Sequence, residues 1–116
     1  MSDRELLEMA AKAAGLFEHK WSDAWKCLGR WTHAKDGWYF EGPAWNPLTD
    51  DGDALRLACH LFMSVSTGPV EASANTIAGA LRGQFFREST IDELDTAAAV
   101  RRAIVRAAAE IGRSAS

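Results

Sequence analysis

The sequence predicts an α+β domain, in coarse order α-β-α-β(β)-α, with a small, predominantly antiparallel sheet between helical layers and about three helices in all. Three observations predict it. Apolar residues recur at helical spacing in three places, each opened by a capping signal. Runs with period-two alternation or β-branched and aromatic residues lie between them. The length is 116 residues, 47% hydrophobic and 25% charged, which suits one domain around one core.

The first helix starts at Ser2-Asp3-Arg4-Glu5, an S-x-x-E capping box. Leu6, Ala10, Ala13 and Phe17 follow at helical spacing, and Gly15 can supply the left-handed residue that ends the helix. Over residues 16–45 the signals conflict. Trp21, Trp25 and Leu28 suit a helical turn, whereas Trp31-Thr32-His33 and Trp38-Tyr39-Phe40 favour strands around an Asp36-Gly37 turn. The reading is an irregular or short helical stretch, then one or two strands ending near Glu41, with Gly42-Pro43 breaking whatever precedes it.

Asp50 is the predicted N-cap of the second helix, with Asp53 at N3 and three carboxylates near the positive end of its dipole. Leu55, Ala58, Cys59 and Phe62 mark an apolar stripe, widened by Ala54, Leu57 and Leu61, which predicts burial against a sheet. Met63-Ser64-Val65-Ser66-Thr67 and Val70-Glu71-Ala72-Ser73-Ala74 alternate around Gly68-Pro69, a hairpin pattern. Residues 75–83 are ambiguous, and Gln84-Phe85-Phe86-Arg87 reads as a short strand. The last helix opens at the box Thr90-Ile91-Asp92-Glu93. It runs through Leu94, Ala97, Val100, Ile104, Ala107 and Ile111, and Gly112 is expected to close it. Its arginines Arg102, Arg106 and Arg113 read as a solvated face.

Composition excludes several classes. A net charge of −3 with this apolar fraction is not that of a disordered chain, and it gives no general attraction to nucleic acid or anionic lipid. No run of about 18 apolar residues is present to span a membrane. The charged start Met1-Ser2-Asp3-Arg4-Glu5 is no secretory signal, so a cytoplasmic protein with free, core-packed Cys27 and Cys59 is expected.

No catalytic or cofactor motif stands out, which leans away from an enzyme, and no cofactor is predicted. Asp50, Asp51 and Asp53 offer oxygen ligands to a divalent cation, but they do not follow the alternate-position spacing of a calcium loop, and capping explains them. His19, His33, His60, Cys27 and Cys59 include no closely spaced zinc pair. The most unusual feature is that Trp21, Trp25, Trp31, Trp38 and Trp45 share one quarter of the chain with Lys20, Lys26, Arg30 and Lys35 interleaved. Aromatic faces beside cations can stack the bases of a single strand and hold its phosphates. Core filling is the competing account, because Trp is large and basic stems lie naturally over aromatic surface. The binding candidates are Trp21, Trp25, Trp31, Lys26, Arg30, Trp45 and Asn46.

Residues 45–58, Trp-Asn-Pro-Leu-Thr-Asp-Asp-Gly-Asp-Ala-Leu-Arg-Leu-Ala, are similar to the signature of the phage ABA sandwich domain family. Residues 99–112 resemble that family's closing helix, and Asp3-Arg4-Glu5-Leu6-Leu7 through Ala13-Ala14-Gly15 its first. The segments cover about a third of the chain. The resemblance implies a small phage or prophage protein with an α/β/α sandwich, and it brings no established activity. Under it, Trp45-Asn46-Pro47 and the aspartates form an architectural corner, or else Asn46, Asp50 and Asp51 form an exposed recognition surface. The expected function is a non-enzymatic accessory protein that acts through a protein partner or as a homo-oligomer. Single-stranded nucleic-acid binding through residues 20–45 and metal-dependent chemistry at the aspartates are the alternatives.

Overall fold

The computed structural model describes residues 2–16, 19–34, 37–67, 71–76, 85–89 and 96–114, and for 31–34, 37–43, 76 and 85 it describes the backbone. The chain is α+β. Its described elements run α1 (Asp3–Ala13), β1 (His19–Ser22), β2 (Cys27–Ala34), β3 (Gly37–Trp45), α2 (Asp51–His60), β4 (Met63–Ser66), β5 (Glu71–Thr76), β6 (Phe85–Ser89) and α3 (Thr96–Ser114). All described strand pairings are antiparallel, and they form two three-stranded sheets, β1-β2-β3 and β4-β5-β6. The strands expected in one sheet are thus divided between two.

α1 begins and ends as its sequence dictates. Ser2 Oγ accepts the Glu5 amide at 3.2 Å and donates to Glu5 Oε1 at 3.2 Å. At the other end Gly15 has φ +77°, with Gly15 N–H bonded to the Lys12 carbonyl and Leu16 N–H to the Ala11 carbonyl. Those two bonds are the paired closure that a left-handed C′ residue permits.

The next segment departs from its local signal. Trp21 lies on β1 and Trp25 in the turn before β2, so the helical spacing of Trp21, Trp25 and Leu28 yields to strand pairing. Ser22 pairs with Cys27 across a turn closed by Lys26 N–H to the Ser22 carbonyl at 2.8 Å, with Lys26 at φ 53°. β3 also runs straight through Gly42-Pro43. Proline is tolerated there because β3 is an edge strand and because the pair forms part of a bulge. Leu28 pairs with Trp45 and Arg30 with Glu41, which leaves Gly29 opposite Gly42, Pro43 and Ala44. The strands around Trp31 and Trp38 and the hairpin β4–β5 form where expected, and β6 is the expected short strand. The Thr90–Glu93 box, Lys35, Asp36 and residues 68–70 and 77–84 lie outside the described residues.

α3 organises the core. It packs along α1 and lies over β5 and β6, while α1 also touches β1 and β2. The helical faces that meet are built of small residues: Ala10, Ala11, Ala103, Ala107 and Ala108 are all buried. Gly112 lies inside α3 rather than closing it, since the helix continues to Ser114. Its role is close approach, because a Cβ there would stand 1.9 Å from the Met9 carbonyl oxygen. Arg102 and Arg106 of α3 are ties rather than a merely solvated face, while Arg113 is exposed and pairs within the helix with Glu110. Arg106 donates to Glu88 Oε1 at 2.7 Å and to the Arg87 carbonyl at 3.0 Å, and Arg102 reaches Asp3 at 3.2 Å. Among the described residues, no helix is long and apolar enough to cross a membrane.

Candidate functional site

Trp45, Asn46 and the aspartates of α2 form a corner whose polar groups are engaged with one another. Asn46 Oδ1 accepts the Leu48 amide at 3.1 Å, its Nδ2 donates to the Lys26 carbonyl at 3.2 Å, and its backbone N–H donates to Asp53 Oδ2 at 3.0 Å. Asp50 caps α2 by accepting the Asp53 amide at 2.8 Å. The N3 carboxylate of Asp53 therefore reaches past the cap residue to the residue before Pro47. Its other oxygen accepts from Arg56 Nη2 at 2.7 Å. Asp53 is buried, and its bonds to Asn46 and Arg56 are part-buried, with the Arg56 guanidinium reaching in from an exposed side chain.

Asp51 points elsewhere. It accepts from Arg101 Nη1 at 2.6 Å, and Arg101 Nε donates to the Leu48 carbonyl at 2.8 Å. Arg101 thus ties the corner to α3 with a side chain only 14% exposed. Sequence reasoning missed it, since nothing local sets Arg101 apart from its neighbours on α3. The three carboxylates serve an N-cap, a backbone amide with Arg56, and Arg101. Among the described residues no group of three or more His, Cys, Asp or Glu is placed to hold a metal ion.

Of the tryptophans whose side chains are described, Trp21 and Trp45 flank the buried Leu28 on one face of the first sheet and pack on the core, and Trp25 stands apart from them. Trp21 is half-buried against the core and lines a cleft of about 620 Å³ between α1 and β1. Its indole N–H donates to Asp23 Oδ1 at 2.9 Å, which fixes the ring. Arg4 of α1 lies over that ring, 5.8 Å from the centroid. Trp45 is half-buried at the corner and lines a second cavity with His19, Asp50, Asp53 and Arg56. Trp25 stands at the tip of the β1–β2 turn, 69% exposed, beside the exposed Lys26. Arg30 is exposed on β2; Trp31 and Trp38 are placed by their backbone on β2 and β3, where His33 pairs with Trp38.

A third region was expected to be core. The buried face of α2 is Asp53, Ala54, Leu57 and Ala58. Leu55 and Cys59, at i and i+4, are exposed instead, and Phe62 follows them at 77% exposure. The broad apolar stripe is therefore split, with one half facing α3 and the other facing solvent. Cys27 is buried as expected, and burial pushes its thiol up from the ordinary range; Cys59 is not core. Phe62 occupies the left-handed position after α2, φ 54°, where glycine is the usual residue.

Val65 continues this face. It pairs with the buried Ala74, which pairs with Phe86, so all three lie on the side of the second sheet that α3 covers. α3 lies mainly over β5 and β6, leaving Val65 40% exposed on β4. Ala54, Leu55, Val65, Ala97, Val100 and Ile104 line the resulting apolar groove of about 450 Å³, with Asp51 and Arg101 at its rim. No family model, curated protein or solved structure matches the chain.

Proposed function

We propose that the protein is a non-enzymatic phage or prophage accessory protein of the host cytoplasm that works by self-association through the face built by α2 and β4. The observation that carries this reading is the exposure of Leu55, Phe62 and Val65 beside a sheet edge. Leu55 and Val65 line one groove, and exposed apolar side chains that share a surface mark contact sites. Each contributes about 1.5–3 kcal/mol when fully buried.

The edge itself favours a second copy as the partner. Exposed edge strands are normally blunted by charge, proline or a bulge. β1 carries Lys20, β3 carries Glu41 and Pro43, and β6 carries Arg87 and Glu88. β4, Met63-Ser64-Val65-Ser66, carries neither a charge nor a proline. Two β4 edges paired antiparallel about a two-fold axis join the two sheets and bring both Val65 side chains to one groove. Such an interface is self-complementary and closed.

Sedimentation velocity from about 1 µM to about 100 µM spans the affinities expected of a modest interface of this kind. The reading expects a dimer in that range, and a monomer for Val65→Lys with an unchanged far-UV spectrum. A wild-type chain that stays monomeric throughout would remove it, and a Val65→Lys dimer would remove this surface.

A further inference from the structure

We propose that the cleft between α1 and β1 is a binding site for a mononucleotide, with the base against Trp21 and the phosphate among the basic side chains. This site is separate from the α2–β4 face and does not depend on it.

The cleft combines two kinds of wall. Its floor is apolar, formed by Met9, Ala11, Leu16 and Leu28, with the Trp21 indole beside it. Arg4, Lys12 and Lys20 line it with His19, against a single carboxylate, Glu8. Counting full charges on those residues and on Asp23, which holds the indole, gives +3 and −2, a local excess of +1 in a chain whose net charge is −3. A surplus of one sign in a cleft with low-dielectric walls concentrates ligands of the opposite sign.

The chemistry of a ligand follows from that pairing. An indole held in place by its bond to Asp23 offers a rigid surface for a planar ring at low entropic cost. Several cations suit a phosphate dianion better than a single carboxylate. Arg4 already lies over the indole while its Nε pairs with Glu8 at 2.6 Å, so the guanidinium stands at the junction between the ring and charge subsites. A volume of about 620 Å³ is that of a small-molecule site. The chain's overall negative charge opposes a long polyanion, which favours one nucleotide over a nucleic-acid strand.

The test is titration of the full chain with adenosine 5′-monophosphate, followed by calorimetry and by the Trp21 indole N–H resonance, assigned from Trp21→Phe. Adenosine, inorganic phosphate and a short oligothymidylate are titrated alongside. The expected result is a shift of the Trp21 resonance with the nucleotide, and weaker binding of either half-ligand. Lys12→Glu and Lys20→Glu, both at exposed positions, are each expected to weaken nucleotide binding about tenfold, as loss of one charge-assisted contact does. Absence of any Trp21 shift overturns the proposal, as does nucleotide binding indifferent to both lysine variants. Phosphate binding as tightly as the nucleotide would show that the indole takes no part, and tighter binding of the oligothymidylate would show the ligand to be a strand; either result overturns the assignment.

Discussion

Replacing Gly112 by alanine tests the packing that holds the molecule together. In an ordinary helix this change stabilises by about 1 kcal/mol, because alanine has the better helix propensity. Here the new Cβ would lie 1.9 Å from the Met9 carbonyl oxygen and 2.8 Å from its carbon, and ordinary contact begins at 3.4 Å. The shortfall at the oxygen is 3.4 − 1.9 = 1.5 Å. Its neighbour is helical backbone and cannot rotate away, so α1 and α3 must separate. Overpacking costs about 1–3 kcal/mol and sometimes more. A shift of this size belongs at the upper end, so the net effect is a loss of about 2 kcal/mol. Urea unfolding followed by tryptophan fluorescence should show a midpoint lowered by about 1 M with an unchanged slope. Gly15→Ala is the control, since it adds a Cβ in open space at φ +77° and should cost only about 1 kcal/mol. A Gly112→Ala midpoint at or above wild type would refute the close approach of the two helices.

Three further outcomes follow from the same contacts. Arg101→Met keeps the apolar stem but leaves the Leu48 carbonyl and Asp51 without their donor, and should cost about 1–3 kcal/mol in urea unfolding. Phe62→Gly relieves a left-handed non-glycine residue that buries little, so the monomer should gain about 1 kcal/mol in thermal unfolding while self-association weakens. Iodoacetamide at pH 8 should modify Cys59 quickly and Cys27 slowly, since Cys27 is buried and its thiol is held protonated by burial; equal rates, read by mass spectrometry, would contradict their placement.

The starts of α1 and α2 were legible because caps are local. Ser2 with Glu5 and Asp50 with Asp53 make their bonds within one turn of chain, so spacing alone identifies them. The β1–β2 hairpin was not legible, because Trp21, Trp25 and Leu28 satisfy helical spacing and only pairing with β2 and β3 decides against it. The same limit applies to Gly112, which looks like a helix end until α1 is seen to lie against it. At the corner, the capping role of Asp50 was legible, and the tie from Arg101 was not, since it spans the chain from α3 to α2. The apolar face was hidden by abundance. α2 has more apolar residues than one buried face needs, and periodicity cannot say which half stays in water.

Hydrogen exchange at two protein concentrations tests self-association through α2 and β4 most directly. Amides over residues 55–67 should gain protection on moving from about 1 µM to about 100 µM, while α1 and the β1–β2 turn stay unchanged. Equal exchange at both concentrations, or a gain confined to other strands, would contradict the account.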